Sequence, residues 1–236
     1  MIDLGGTDLY INVPSLPRDE FERYSTNLFD EWESYIGQTL KIPDYALALE
    51  IEEGSIKANA KIAAYLTALY IGIGQYGSFM SGAQTILGQI SSAGDYLATH
   101  AVAPFSSSKA KPQIKKYSGS LGQLNRLFVK VQQGKITAEQ AMIEAESLFG
   151  EDAGAEPNFM SELNTSFKNT PTFAKQLALP LSENENENEN ESFQKIINKK
   201  PKSPSPKREQ PIGQQFRVIV WRESKDKKRK VRVIEL

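Results

Sequence analysis

Apolar positions recur along this chain at helical and at strand spacing, and one long window between them carries no charge. From Ile62 to Gly94 (IAAYLTALYIGIGQYGSFMSGAQTILGQISSAG) every side chain is neutral, and Lys61 and Asp95 close the window. Charged residues make up 24% of the chain, so such a gap marks a buried helix, a membrane-seeking helix or a helix-pairing surface. Before it, Phe21, Tyr24, Leu28, Trp32 and Tyr35 fall at helical spacing behind Ser15-Leu16-Pro17 and the acids Asp19 and Glu20. That pattern predicts a helix that starts at the proline and ends near Gly37. Leu47, Leu49 and Ile51 then alternate with Glu50 and Glu52. With Ile56 to Lys61 beyond Glu53-Gly54, they predict a β-hairpin over 45–61.

Past the window, Leu121, Leu124, Phe128 and Val131 give a helix stopped by Gly134. Thr137 and Gln140 form a capping box that opens the next one, which runs to Gly150. Phe159, Leu163 and Phe167 add a short helix. From Phe216 to Trp221 and from Val231 to Ile234 the period returns to two, which predicts a second hairpin around a basic turn. The alternating Glu-Asn tract from Glu183 to Glu191 and the Pro-rich stretch after Lys199 read as a disordered linker. The expected architecture is therefore α+β. A mainly helical body (1–180) carries a hairpin at 45–61, and a linker (181–213) leads to a basic hairpin (214–236).

Charge sharpens this division. The chain is nearly neutral, at −1, yet 14 of its 28 Lys/Arg and only 4 of its 29 Asp/Glu lie from Lys195 onward. An acidic body thus carries a basic tail suited to nucleic acid, anionic lipid or an acidic partner. Cysteine is absent, which excludes disulfides, thiolate metal sites and cysteine catalysis. The segment MIDLGGTDLYINV lacks the basic and apolar regions of a signal peptide, so a cytoplasmic protein, with or without membrane association, is expected.

Candidate chemistry is sparse. Gly72, Gly74 and Gly77 match the G-x-G-x-x-G spacing, but no βαβ series surrounds them. Ala60, Ala64, Ala68 and Gly72 recur every fourth residue, as do Ser78 and Gly82; such small residues let helices approach closely. Ile62 to Met80 has the length of a membrane span, but Gln75, Gln84 and Gln89 stand in and behind it. His100 is the single histidine, and Glu50, Glu52 and Glu53 cluster at the hairpin turn; both are expected to be structural. Lys225, Lys227, Lys228, Arg229, Lys230 and Arg232 form the strongest functional patch, with Phe216 and Trp221 as stacking candidates.

No Walker sequence, metal-ligand spacing or nucleophile elbow appears, and no catalytic, cofactor-binding or metal-ligating residue is assigned. The leading expectation is a non-enzymatic interaction or effector protein, such as a microbial toxin or phage-defence accessory. Its small-residue helix (62–90) would oligomerise or touch membrane, and its basic tail would dock a protein partner. The alternatives are an accessory protein that binds nucleic acid non-specifically through the tail and, third, an enzyme with a Glu50/Glu52/Glu53 site.

Overall fold

The computed structural model describes residues 1–108, 111–173 and 215–236. The expected linker (181–213), with its Glu-Asn tract and the cations from Lys199 to Arg208, lies outside the described residues. The fold is α+β. A six-stranded, wholly antiparallel sheet has the order β4-β1-β3-β2-β5-β6, and helices pack on one of its faces. The strands are β1 (Ile2–Ile11), β2 (Ala46–Glu52), β3 (Ile56–Ala64), β4 (Gln113–Tyr117), β5 (Phe216–Arg222) and β6 (Lys230–Glu235).

The predicted hairpin forms β2 and β3, joined at Gly54, which adopts φ +96°. Two strands were not legible. In β1 a bulge between Asp3 and Gly5 interrupts the alternation, so Ile2 and Leu4 are buried along with Leu9 and Ile11 despite their different parity. Strand β4 (QIKKY) is an edge strand with hardly any buried position, so it carries little apolar signal.

Helix α1 (Arg18–Thr39) runs through Gly37 and buries Phe21, Leu28, Phe29, Trp32 and Ile36. No side chain caps its start, so the Ser15 hydroxyl does not serve as the helix cap that a serine just before Pro17 would suggest. The uncharged window is not one helix. Ile62 to Ala64 still belong to β3, because the alternation of Ala58, Ala60, Ile62 and Ala64 with Lys57, Asn59 and Lys61 carries period two into it. The rest divides into α2 (Leu66–Gly74) and α3 (Phe79–Val102). Gly77 at φ +81° turns the chain between them, and the Ser78 hydroxyl accepts the Ser81 N–H to start α3. Among the described residues no helix is long and apolar enough to cross a membrane.

Helices α4 (Gly119–Gln132) and α5 (Ala138–Phe149) form the expected helical hairpin, with both bonds of the Thr137/Gln140 capping box made. A short α6 (Glu151–Ala155) precedes α7 (Pro157–Lys168), whose Phe159, Leu163 and Phe167 are buried. The C-terminal hairpin β5–β6 pairs along β2 and belongs to the same compact unit as residues 1–173. Its Val218 and Val220 are fully buried beside Ile51 and Leu49.

Candidate binding surface on the open sheet face

Strand geometry sends alternate side chains to opposite faces. On the inner face Leu47, Leu49, Ile51, Ile62, Leu9 and Val220 meet the helices. The outward positions are half-buried or exposed in every strand except at Gly6, and among the described residues no helix covers them. In strand order one outward row reads Tyr117, Gly6, Lys61, Ala48, Trp221, Lys230. The next reads Lys115, Asp8, Asn59, Glu50, Ile219, Arg232, and the third Gln113, Tyr10, Lys57, Glu52, Arg217, Ile234.

The face is polarised. Toward the β2–β3 turn its acids and bases are internally paired. Arg217 bridges Glu50 (3.1 Å) and Glu52, Lys57 approaches Glu52 at 3.6 Å, and Asn59 donates to Asp8. Asp8, Glu50, Glu52, Lys57 and Asn59, with Lys115, line a hollow of ≈ 540 Å³. His100 is not among them. It stacks on Tyr96 of α3 at 3.8 Å, and Tyr96 stacks in turn on Tyr35 of α1. The Glu50/Glu52 pair thus meets two cations rather than an imidazole, and among the described residues no three His, Cys, Asp or Glu converge as a metal site would require.

The other end of the face is aromatic and basic. Trp221 stands half-exposed between Lys230 on β6 and Ala48 on β2, and Lys61 lies one strand further. Ala46, Ala48 and Ala63 leave a low floor beside the indole. Lys61 and Arg232 are exposed and make no ion pair among the described residues. The Tyr117 ring lies over Gly6, where any side chain would strike it, and its hydroxyl donates to the Ala60 carbonyl at 3.4 Å. Burial, reinforced by the Asp3 and Asp8 carboxylates, pushes the Tyr117 hydroxyl up to about 12, so it stays protonated.

The basic patch read from sequence is divided by this geometry. Lys230 and Arg232 project from the open face, whereas Lys225, Lys227 and Lys228 occupy the turn. Arg229 reaches Asp30 of α1, and Arg222 reaches Glu33 at 2.5 Å. Asp44 accepts both the Ser224 hydroxyl (2.9 Å) and the Lys225 N–H (2.8 Å). Glu223 holds Lys230 (2.6 Å) and Lys227 (3.3 Å), whose hydrogen bonds keep its carboxyl below the usual range. Part of the tail's charge is therefore neutralised by acids of the body and of the hairpin itself. Phe216 and Trp221 do not form one platform. Their opposite parity puts Phe216 on the inner face, under the Arg18 guanidinium at 5.3 Å.

The small-residue series is likewise dispersed. Ala60 and Ala64 lie on β3, Ala68 and Gly72 on α2, Ser78 caps α3, and Gly82 lies in its first turn. Close approach does occur at two of these positions, but within the chain. A Cβ on Gly72 would sit 3.0 Å from the Lys41 carbonyl oxygen, and one on Gly82 would strike the backbone of Ile73. Gly72 to Gly77 covers the end of α2 and the turn beyond it, not a strand-to-helix loop. Sequence reading missed Lys61, Ala48, Arg217 and Ile219 as surface partners of Trp221. The signal was the alternation within each hairpin arm, but strand order was needed to join them. A scan of protein-family models and searches of curated proteins and of solved structures found nothing that matches this chain.

Proposed function

We propose that this chain is a non-enzymatic binding protein that takes polyanions on the open face of its sheet. The observation that carries this is the joining of the C-terminal hairpin to β2. It brings Trp221, Lys230 and Arg232 beside Lys61 on a face that no described helix covers. Basic side chains on such a surface release counterions from a polyanion when it binds, so affinity falls steeply with salt. Helix pairing through Ala60 to Gly82 is not part of this reading, because Gly72 and Gly82 already serve contacts inside the chain. The carboxylates of Glu50 and Glu52 are engaged by Arg217 and Lys57, so neither stands free as the acid or base an enzymatic reading would need. A cysteine-free chain suits the reducing cytoplasm, where we place it.

Heparin chromatography tests the proposal. The wild-type chain is retained at low salt and elutes as salt rises. The triple variant Lys61→Glu, Lys230→Glu, Arg232→Glu elutes earlier by a clear margin. These side chains are exposed, so the fold should tolerate the changes, and circular dichroism verifies that. Equal retention of the two proteins would refute the assignment to this face.

A further inference from the structure

Resting on that reading, we infer that the polyanion is single-stranded nucleic acid, bound with a base against the Trp221 indole and phosphates at the flanking cations. Three features of the face point to it. First, Trp221 is flanked on both sides. Neighbouring strands lie about 4.8 Å apart, which places Lys230 one strand away and Lys61 two strands away in the opposite direction. A chain crossing the strands would meet a cation, a flat aromatic ring and a second cation in sequence, with Arg232 next to Lys230 along β6. Second, Ala46, Ala48 and Ala63 keep the surface beside the indole low. A base can lie there without moving a side chain. A duplex hides its ring faces in its own stack, whereas a single strand offers them.

Third, the polar groups that could read base edges are already engaged. Asn59 donates to Asp8, and Arg217 holds Glu50 and Glu52. Recognition by stacking and charge alone tolerates any sequence. The Glu50 and Glu52 carboxylates hold Arg217 and Lys57, whereas Lys61 and Arg232 make no ion pair among the described residues, so the cations free to take phosphate are those flanking Trp221. The ion pair of Lys230 with Glu223 is exposed and therefore weak, so a phosphate can replace the carboxylate.

The chain reports this contact itself. Of its two tryptophans, Trp32 is buried with its indole N–H on the Ala93 carbonyl at 3.1 Å, so changes in emission on binding come from Trp221. The full chain is titrated at low salt with a twelve-residue oligothymidylate, with an abasic strand of equal length, and with polyglutamate of equal charge. Oligothymidylate is expected to quench emission and to bind more tightly than either of the others. Trp221→Leu should lose about 5- to 100-fold in affinity for oligothymidylate, the equivalent of one stacked base, and Trp221→Phe should recover most of it. Equal wild-type affinity for the thymidylate and abasic strands overturns the stacking assignment, and so does a Trp221→Phe variant as weak as Trp221→Leu. Tighter binding of polyglutamate overturns nucleic acid as the occupant. All three results leave retention on heparin, and so the polyanion reading, standing. A wild-type chain that binds none of these and passes heparin at low salt overturns both.

Discussion

Gly82 lies where α3 meets the end of α2, and a methyl group there would run into the backbone of Ile73. Gly88, two turns along the same helix, has nothing within 4 Å of its missing Cβ. Glycine in a helix interior costs on the order of 1 kcal/mol against alanine, so the two positions should answer the same substitution with opposite signs. Gly88→Ala is expected to stabilise the protein by about 0.5–1 kcal/mol. Gly82→Ala should destabilise it by about 1–3 kcal/mol, because backbone cannot yield as a side chain can. Urea denaturation of both variants decides this, and a stabilising Gly82→Ala would show the close approach to be wrong. The four-residue recurrence in the sequence did signal close approach. It did not name the partner, since Lys41, Ile42 and Ile73 become neighbours only through the turns before α2 and after it.

At the scale of elements, the C-terminal hairpin is clipped to α1 and β2 by charged pairs as well as by Val218 and Val220. Glu33 on α1 meets Arg222, yet burial holds its carboxyl above the ordinary range, and the Arg222 guanidinium only partly offsets this. A carboxyl raised in the fold binds its proton more tightly there than in the unfolded chain. Its ionisation therefore costs stability as the pH rises above the ordinary carboxylate range, and the cost is relieved as the pH falls back. Glu33→Gln removes this linkage. The stability of wild type relative to Glu33→Gln should thus improve as the pH is lowered from 7 to 4, and thermal melts of both proteins across that range measure it. A change in the opposite direction would mean that Arg222 outweighs burial. Both predicted hairpins and the Thr137/Gln140 cap were legible because their signals are local: alternation about Gly54, alternation about the basic turn, a hydroxyl three residues before a glutamine. Strands β1 and β4 were not, since a bulge broke one pattern and exposure removed the apolar half of the other.

For the whole molecule, the order of the strands is decisive. Without the hairpin, β2 would become an edge with Leu49 and Ile51 beside unpaired backbone groups, the kind of edge that recruits other chains. Burying Val218 and Val220 contributes about 1.5–3 kcal/mol each. A chain ending at Phe173 should therefore melt at lower temperature and self-associate in light scattering, and the peptide 215–236 added in trans should suppress the association. A truncated chain that stays monomeric with an unchanged melting temperature would show that the hairpin is dispensable to the fold. By itself the sequence determined the α+β class, the two hairpins, the helical hairpin of α4 and α5, and the separation of acidic body from basic tail. Each of these follows from periodicity or composition within a short stretch. Tertiary structure alone decided that the C-terminal hairpin pairs along β2, that β1 stands between β3 and β4, and that Trp221 shares a face with Lys61. Those outcomes depend on which strands become neighbours, and strand pairing is set by burying apolar faces distant in sequence, which no local pattern encodes.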